Sequence, residues 1–154
     1  MDRPMIVVWS AALGVLAVGV GYSFAPDRSA PFKYEEVKLR PSEVSSGAKA
    51  DLCVRGLWTE VPDSGETKLA TLCGDGRPLA TEFYPLDLSG PQKGAMAVDK
   101  CAEGGRPRPF EIKCKAPGPF VITAEQTFKR RTWWGWRYET THPAYTIRGT
   151  VLPP

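Results

Sequence analysis

The feature that most constrains this chain is an uncharged run over residues 5–24. At 1.5 Å per residue, a helix of this length is about 30 Å long, close to the thickness of the hydrocarbon core of a bilayer. The rest of the chain has room for one compact domain. The sequence therefore predicts a single transmembrane helix within residues 1–25.

A cleaved secretory signal is the competing interpretation of the same run. Signal peptides have an apolar stretch of roughly 7–15 residues that ends at small residues, whereas this run is longer and Pro26 directly follows the best cleavage candidate. Small residues also recur along one helical face, as they do where membrane helices pack. They are Ser10, Gly14, Ala17 and Gly21. We expect a retained anchor, embedded in the lipid bilayer, that packs against a membrane helix of a partner protein.

Two signals disagree about the side of the membrane on which the domain lies. Lys and Arg are more frequent after the run than before it, and this bias favours a cytoplasmic domain. The four cysteines include no C-x-x-C pair, and such usage is typical of disulfides formed in an oxidising compartment. The cysteines carry more weight, so we expect a single-pass protein with its domain on the extracytoplasmic side, periplasmic or at the cell surface.

The composition after the anchor favours an all-β domain. Glycine and proline contribute 15 residues each, which favours short elements joined by turns over long helices. Prolines and a Ser-Ser-Gly break make residues 26–50 an expected spacer, with a weak edge strand at 34–39. Residues 51–154 are expected to form a small antiparallel sandwich or barrel of about seven strands.

Alternating apolar residues predict the strands of this domain. Residues 52–59 and 68–73 are separated by a Pro-Asp-Ser-Gly turn and are expected to form a hairpin. The last third predicts a four-stranded meander, with a turn at Thr-His-Pro 141–143. Its expected strands are 110–115, 120–128, 133–140 and 145–151. In the second of them, one face is formed by Phe120, Ile122, Ala124 and Phe128.

The cysteines are expected to form two disulfides. Three pairings are open to Cys53, Cys73, Cys101 and Cys114. We expect neighbours to pair, so that Cys53 joins Cys73 and Cys101 joins Cys114. A zinc site needs clustered ligands, which these spacings and the single His142 do not provide. No metal and no cofactor are expected.

The densest unusual segment is the basic and aromatic stretch over residues 129–138. Its candidate binding residues are Trp133, Trp134, Trp136, Arg137 and Tyr138. Three interpretations are open. One aromatic face could belong to the core, the segment could contact a protein partner or lipid headgroups, or the rings could stack on sugars.

The sequence indicates its function mainly through the motifs that it lacks. The sequence has no nucleophile-elbow, phosphate-loop or zinc-protease motif, so we expect no enzyme. A net charge of +3 with interspersed signs does not indicate a nucleic-acid partner. We expect a non-catalytic accessory or scaffolding subunit of a membrane protein complex. The alternative is a stand-alone cell-envelope module that binds a glycan or a lipid headgroup.

Overall fold

The computed structural model describes residues 26–92, 94 and 96–154. The predicted anchor over residues 1–25, with its small residues Ser10, Gly14, Ala17 and Gly21, lies outside the described residues. Within the described part of the chain, no helix combines the length and the hydropathy that a membrane span requires.

The all-β prediction is confirmed. The described residues form nine strands and one short helix, more strands than the seven or so expected from the sequence. The elements are β1 (Phe32–Arg40), β2 (Glu43–Val44), β3 (Lys49–Trp58), β4 (Ser64–Leu72), β5 (Glu82–Pro85), α1 (Ser89–Gln92), β6 (Ala97–Asp99), β7 (Arg108–Glu111), β8 (Gly118–Arg131) and β9 (Arg137–Val151).

The strands form two sheets. In the four-stranded sheet, β3 pairs with β1 on one edge and with both β6 and β7 on the other. β7 pairs with the first part of β3 and β6 with its last part, so these two short strands follow one another along the same edge. The five-stranded sheet has the order β2-β9-β8-β4-β5, in which only the β2–β9 pair is parallel. The two sheets form an open half-barrel.

The core lies between the sheets. In β8 every second residue is buried, and the predicted face of Phe120, Ile122, Ala124 and Phe128 is confirmed. Most of these residues belong to one apolar cluster with Leu52 of β3, which shows that the two sheets pack face to face. A smaller cluster at one end contains Phe128 and aromatic residues from β1 and β3.

The expected spacer over residues 26–50 is instead largely part of the fold. The weak edge strand at 34–39 is present as β1, and β1 and β2 place Phe32, Leu39 and Val44 in the core. The register of β1 against β3 shifts between Tyr34 and Glu36. Such a bulge changes which residues face inward, and this explains why the alternation in the sequence is weak.

Two predicted strand pairings are wrong. The strands expected to form the first hairpin, β3 and β4, lie in different sheets, and β4 pairs with β8 over its whole length. β7 does not join a meander with β8, because it pairs with β3 in the four-stranded sheet. Leu52 of β3 and Leu69 of β4 belong to the same buried cluster, so the two strands bury their apolar faces between the sheets instead of pairing edge to edge.

The predicted turn at 141–143 is also wrong. β9 continues through His142 and Pro143, and β8 and β9 form one long hairpin. Ala124 pairs with Tyr145 and Glu125 with Pro143, so that Ala144 is an extra residue in β9. This bulge reverses the inward and outward sides of the strand, and Tyr145 consequently faces the space between the sheets.

All four cysteines form disulfides, but the predicted pairing is wrong. Cys53 is bonded to Cys101, and Cys73 is bonded to Cys114. The first bond joins β3 to the chain that follows β6. The second joins the chain after β4, in the five-stranded sheet, to the chain after β7, in the four-stranded sheet. The pairing follows which segments are adjacent in space, and the expected Cys53–Cys73 bond was tied to a β3–β4 hairpin that does not form.

Candidate functional site

The tryptophan-rich segment forms the loop between β8 and β9, and we call residues 132–136 the tryptophan hairpin. The amide of Gly135 donates a hydrogen bond of 2.9 Å to the Thr132 carbonyl, and the Trp136 amide donates one of 2.9 Å to Thr132 Oγ1. Gly135 has a φ of 94°, a conformation that a residue without Cβ adopts at little cost. These contacts fix a compact three-residue turn.

The three tryptophans of this loop face solvent. The exposed fraction is 78% for Trp133, 42% for Trp134 and 59% for Trp136. The predicted strand at 133–140 therefore starts only at Arg137, and the interpretation that placed an aromatic face in the core is wrong for these residues. The rings of Trp134 and Trp136 lie 5.3 Å apart at 33°. They form a continuous aromatic surface at the tip of the hairpin.

A buried arginine supports the base of the tryptophan hairpin. Arg130 is 1% exposed, and its Nη1 donates a 2.8 Å hydrogen bond to Glu60 Oε2. Nη2 donates to the carbonyl of Ser29 and, at 3.2 Å, to Thr140 Oγ1. The guanidinium lies 5.5 Å from the ring centroid of Tyr138. The Arg130 side chain thus holds the end of β8, next to the tryptophan hairpin, against the chain around Ser29.

The segment just before β1 lies against the same base. Burial raises the pKa of Tyr138, while the positive charge of Arg130 and the backbone of Asp27 act in the opposite direction. Hydrogen bonds from the backbone and then the hydroxyl of Ser29 hold the pKa of Asp27 below its usual value. Residues 27–29 therefore contact β8 and β9 close to the tryptophans.

The charges around the tryptophan hairpin are mostly paired. Lys129 lies 3.6 Å from Glu139, and Arg131 lies 3.6 Å from Asp63. Arg137, a predicted binding residue, is exposed at the start of β9. The hairpin therefore presents a large aromatic surface with only a small excess of positive charge.

A second candidate site, which the sequence did not indicate, is a cavity of about 430 Å³ between the two sheets. Its size is within the range of small-molecule sites. The lining comes from both sheets and from the chain between β5 and β7. It consists of Phe32, Tyr34, Leu52, Val54, Trp58, Thr67, Pro85, Leu86, Asp87, Val98, Lys100, Arg108, Gln126 and Tyr145.

Polar groups line one wall of this cavity. The Gln126 amide donates a 3.1 Å hydrogen bond to Thr67 Oγ1, and both residues are buried. The rings of Tyr34 and Tyr145 lie 5.4 Å apart at 67°. Burial raises the pKa of Tyr34 well above its ordinary value and that of Tyr145 to about 12. At neutral pH these groups are uncharged hydrogen-bonding partners inside an otherwise apolar space.

Charged residues lie where the cavity meets solvent. Lys100 Nζ donates a 2.7 Å hydrogen bond to Asp87 Oδ2, and this contact, followed by hydrogen bonds from Ser89, holds the pKa of Asp87 well below its ordinary value. The Arg108 guanidinium lies 3.9 Å from the ring centroid of Tyr84. Arg108 belongs to the four-stranded sheet and Tyr84 to the five-stranded sheet, so this contact spans the open edge of the half-barrel.

The buried tyrosines predict an alkaline weakening of the fold. In the unfolded chain the hydroxyls of Tyr34 and Tyr145 lose their protons near pH 10. In the folded state Tyr145 keeps its proton up to about pH 12, and Tyr34 keeps its proton to a still higher pH. The unfolded state therefore binds fewer protons above pH 10, and stability should fall as the pH rises from 10 to 12. Urea unfolding at several pH values should show this fall.

Two conservative variants test this assignment. Tyr145→Phe should reduce the pH dependence of stability between pH 10 and 12 by about one proton. Tyr84→Phe, which removes a partly exposed hydroxyl, serves as the control. Equal slopes for the wild type and Tyr145→Phe would contradict a buried, protonated Tyr145.

The sequence did contain one signal of the buried polar groups. Gln126 and Arg130 occupy the same alternating positions of β8 as Phe120, Ile122 and Phe128. A polar residue within the inward series of a strand must find a partner in the interior. Gln126 finds Thr67 at the cavity wall, and Arg130 finds Glu60 and Ser29 at the base of the hairpin.

No family model matches this chain, and none of the curated proteins searched matches it. The assignment of function therefore depends on the geometry of the chain itself. In the described part, no group of three or more His, Cys, Asp or Glu residues is arranged to hold a metal ion.

Proposed function

We propose that this protein is a non-catalytic accessory subunit of a membrane complex, and that the tryptophan hairpin contacts its protein partner just above the bilayer. The observation that carries the proposal is the exposure of three tryptophans on an ordered hairpin, at the end of the domain where residues 27–29 are bound. The two disulfides support an oxidising, extracytoplasmic location for the domain.

Chain length limits how far the tryptophan hairpin can lie from the apolar run. Ser29 contacts Arg130, and five residue-to-residue steps lead from Phe24, the end of the run, to Ser29. Even a fully extended chain of that length spans only about 17 Å. Trp134 follows Arg130 by four residues, which span at most about 13 Å even when fully extended. If residues 5–24 span the bilayer, the hairpin lies near the membrane surface.

The charge pattern favours a protein partner over lipid headgroups. Attraction to anionic lipids grows by about 1 kcal/mol for each basic residue near the surface. Lys129 and Arg131 are paired with acidic residues, which leaves Arg137 as the main contributor among the described residues at the tip. Trp and Arg are the residue types that dominate the energetics of protein interfaces. The predicted stripe of small residues would pack against the same partner within the membrane.

Variants of the tryptophan hairpin test this proposal. The full-length protein is extracted from its native membrane in mild detergent, and its size and companions are measured by native gel and mass spectrometry. The wild type should run in a large particle with fixed companions. Trp134→Ser with Trp136→Ser should lower the recovery of the partner at least tenfold, because interface tryptophans often contribute 2 kcal/mol or more each.

Phe83→Ser provides a matched control. Phe83 and Trp136 have the same exposed fraction, 59%, but Phe83 lies on β5, away from the hairpin. This variant should leave the companions in place. Migration of the wild-type protein alone, near its own mass, would overturn the subunit proposal and favour the stand-alone module, which a panel of envelope glycans and lipids would then test.

A further inference from the structure

We infer that the cavity between the sheets binds a single acyl chain that carries an anionic head, with the head at Arg108 and the chain running towards Phe32 and Trp58. This inference does not depend on the tryptophan hairpin, because the cavity and the hairpin share none of the residues that define them.

The shape of the cavity favours a narrow, elongated ligand. Its lining follows β3 from Leu52 through Val54 to Trp58, and the six residue-to-residue steps between Leu52 and Trp58 span roughly 20 Å. A volume of about 430 Å³ that extends along this strand describes an elongated space, and such a shape suits a single hydrocarbon chain better than a compact ligand.

Apart from the wall that carries Thr67, Gln126 and the two tyrosines, the cavity has mainly aliphatic walls and an aromatic far end. Leu52, Val54, Leu86 and Val98 contribute aliphatic surface from both sides. At the far end, the rings of Phe32 and Trp58 pack edge to face with their centroids 4.8 Å apart. Apolar walls of this kind favour the burial of methylene groups, and the aromatic pair limits how far a chain can extend.

The opposite end of the cavity carries a positive charge. Arg108 pairs with Leu52 across the strands, so it lies at the Leu52 end of the lining. Its guanidinium stacks on Tyr84 and makes no ion pair with any carboxylate of the described residues, whereas Lys100 is paired with Asp87. Arg108 also lies near Tyr145, since burial raises the pKa of that hydroxyl while the charge of Arg108 partly offsets the rise. A carboxylate or phosphate at this end can accept hydrogen bonds from the Arg108 guanidinium and from the Tyr145 hydroxyl.

Photolabelling tests the inference on the full chain. The protein is reconstituted in lipid nanodiscs with its disulfides intact and is exposed to dodecanoic acid that carries a diazirine and a terminal alkyne. Labelled peptides are then identified by mass spectrometry. We expect labels on β1 and β3, at residues facing the cavity, and at least tenfold less labelling there in Val54→Trp, which fills the cavity. Leu72→Trp, on the exposed side of β4, should label like the wild type.

A second pair of variants tests the anionic head of the ligand. Arg108 and Arg148 are both exposed, so this test does not depend on a change in the core. Arg108→Gln should reduce labelling by the acid at least threefold and leave labelling by the matched dodecanol probe unchanged. Arg148→Gln, an exposed arginine of β9 outside the cavity, is the control and should change neither. Equal effects of Arg108→Gln on acid and alcohol would overturn the anionic head.

A third probe distinguishes two sources of the same ligand chemistry. The same chain attached to a lysophosphatidic acid head is compared with the free acid. Stronger labelling by the lysolipid would identify a membrane lipid as the source, and stronger labelling by the acid would identify a free fatty acid. Labelling of the cavity by neither probe, or labelling that Val54→Trp does not reduce, would overturn the inference.

Discussion

Replacing Cys73 and Cys114 together by alanine should lower the free energy of unfolding by about 4 kcal/mol. The bond closes a loop with a sequence separation of 41 residues, and opening it frees the unfolded chain. Both cysteines are buried in the main apolar cluster. The bond also joins the two sheets, because Cys73 follows β4 and Cys114 follows β7. Removing it therefore weakens the half-barrel across its core.

The second disulfide gives a matched comparison. The Cys53–Cys101 bond has a similar sequence separation of 48, but it joins β3 to the chain that follows β6, both associated with the four-stranded sheet. Restriction of the unfolded chain alone predicts nearly equal losses for the two double variants. Burial between the sheets predicts the larger loss for Cys73→Ala with Cys114→Ala.

Urea unfolding, followed by tryptophan fluorescence at constant detergent concentration, measures both losses. The wild type treated with reductant should be less stable than either double variant, because it loses both bonds. A loss below about 1 kcal/mol for the Cys73 and Cys114 variant would contradict the bridging role assigned to this bond.

The sequence predicts local structure well where alternation is regular. The inward face of β8 follows a strict period of two, and its apolar members are readable from the sequence alone. Alternation fails at bulges. In β1 and in β9 one residue is inserted against the partner strand, which shifts the pattern and hides the strand. For this reason the Thr-His-Pro pattern predicts a turn, although the segment lies within β9.

Pairing between distant strands is harder to predict. β3 and β4 are adjacent along the chain and have complementary patterns, but nothing local shows that they face each other across the core. The disulfide pairing depends on this arrangement, and so does the cavity, whose walls come from strands far apart in the sequence. The tryptophan-rich segment could be identified as unusual, but its exposure depends on the length of the β8–β9 hairpin.

Replacing Arg130 by alanine should lower the free energy of unfolding by about 3 kcal/mol. The variant removes the hydrogen bonds to Glu60, Ser29 and Thr140 and leaves space where the buried side chain lay. Glu60 is 40% exposed, so solvent compensates for part of the lost ion pair. Arg130→Met keeps most of the apolar volume and should lose about half as much.

The neighbouring arginine provides the control for this prediction. Arg131 is half-exposed and pairs with Asp63 at 3.6 Å, so Arg131→Ala should cost less than about 1 kcal/mol. Limited trypsin digestion gives a second measurement. Arg130 holds the Ser29 carbonyl, one residue after a trypsin site at Arg28. Cleavage after Arg28 should be faster in Arg130→Ala and unchanged in Arg131→Ala.

Arg130 also links the two parts of the proposed function. It connects the chain that follows the apolar run to the base of the tryptophan hairpin, so its loss should let the hairpin move relative to the membrane. Arg130→Met should stay folded, because its expected loss of stability is about half that of Arg130→Ala. Less partner should therefore be recovered from native membranes with Arg130→Met than with Arg131→Ala. Equal stability, digestion and recovery for Arg130→Ala and Arg131→Ala would show that the buried contacts of Arg130 do not position the hairpin.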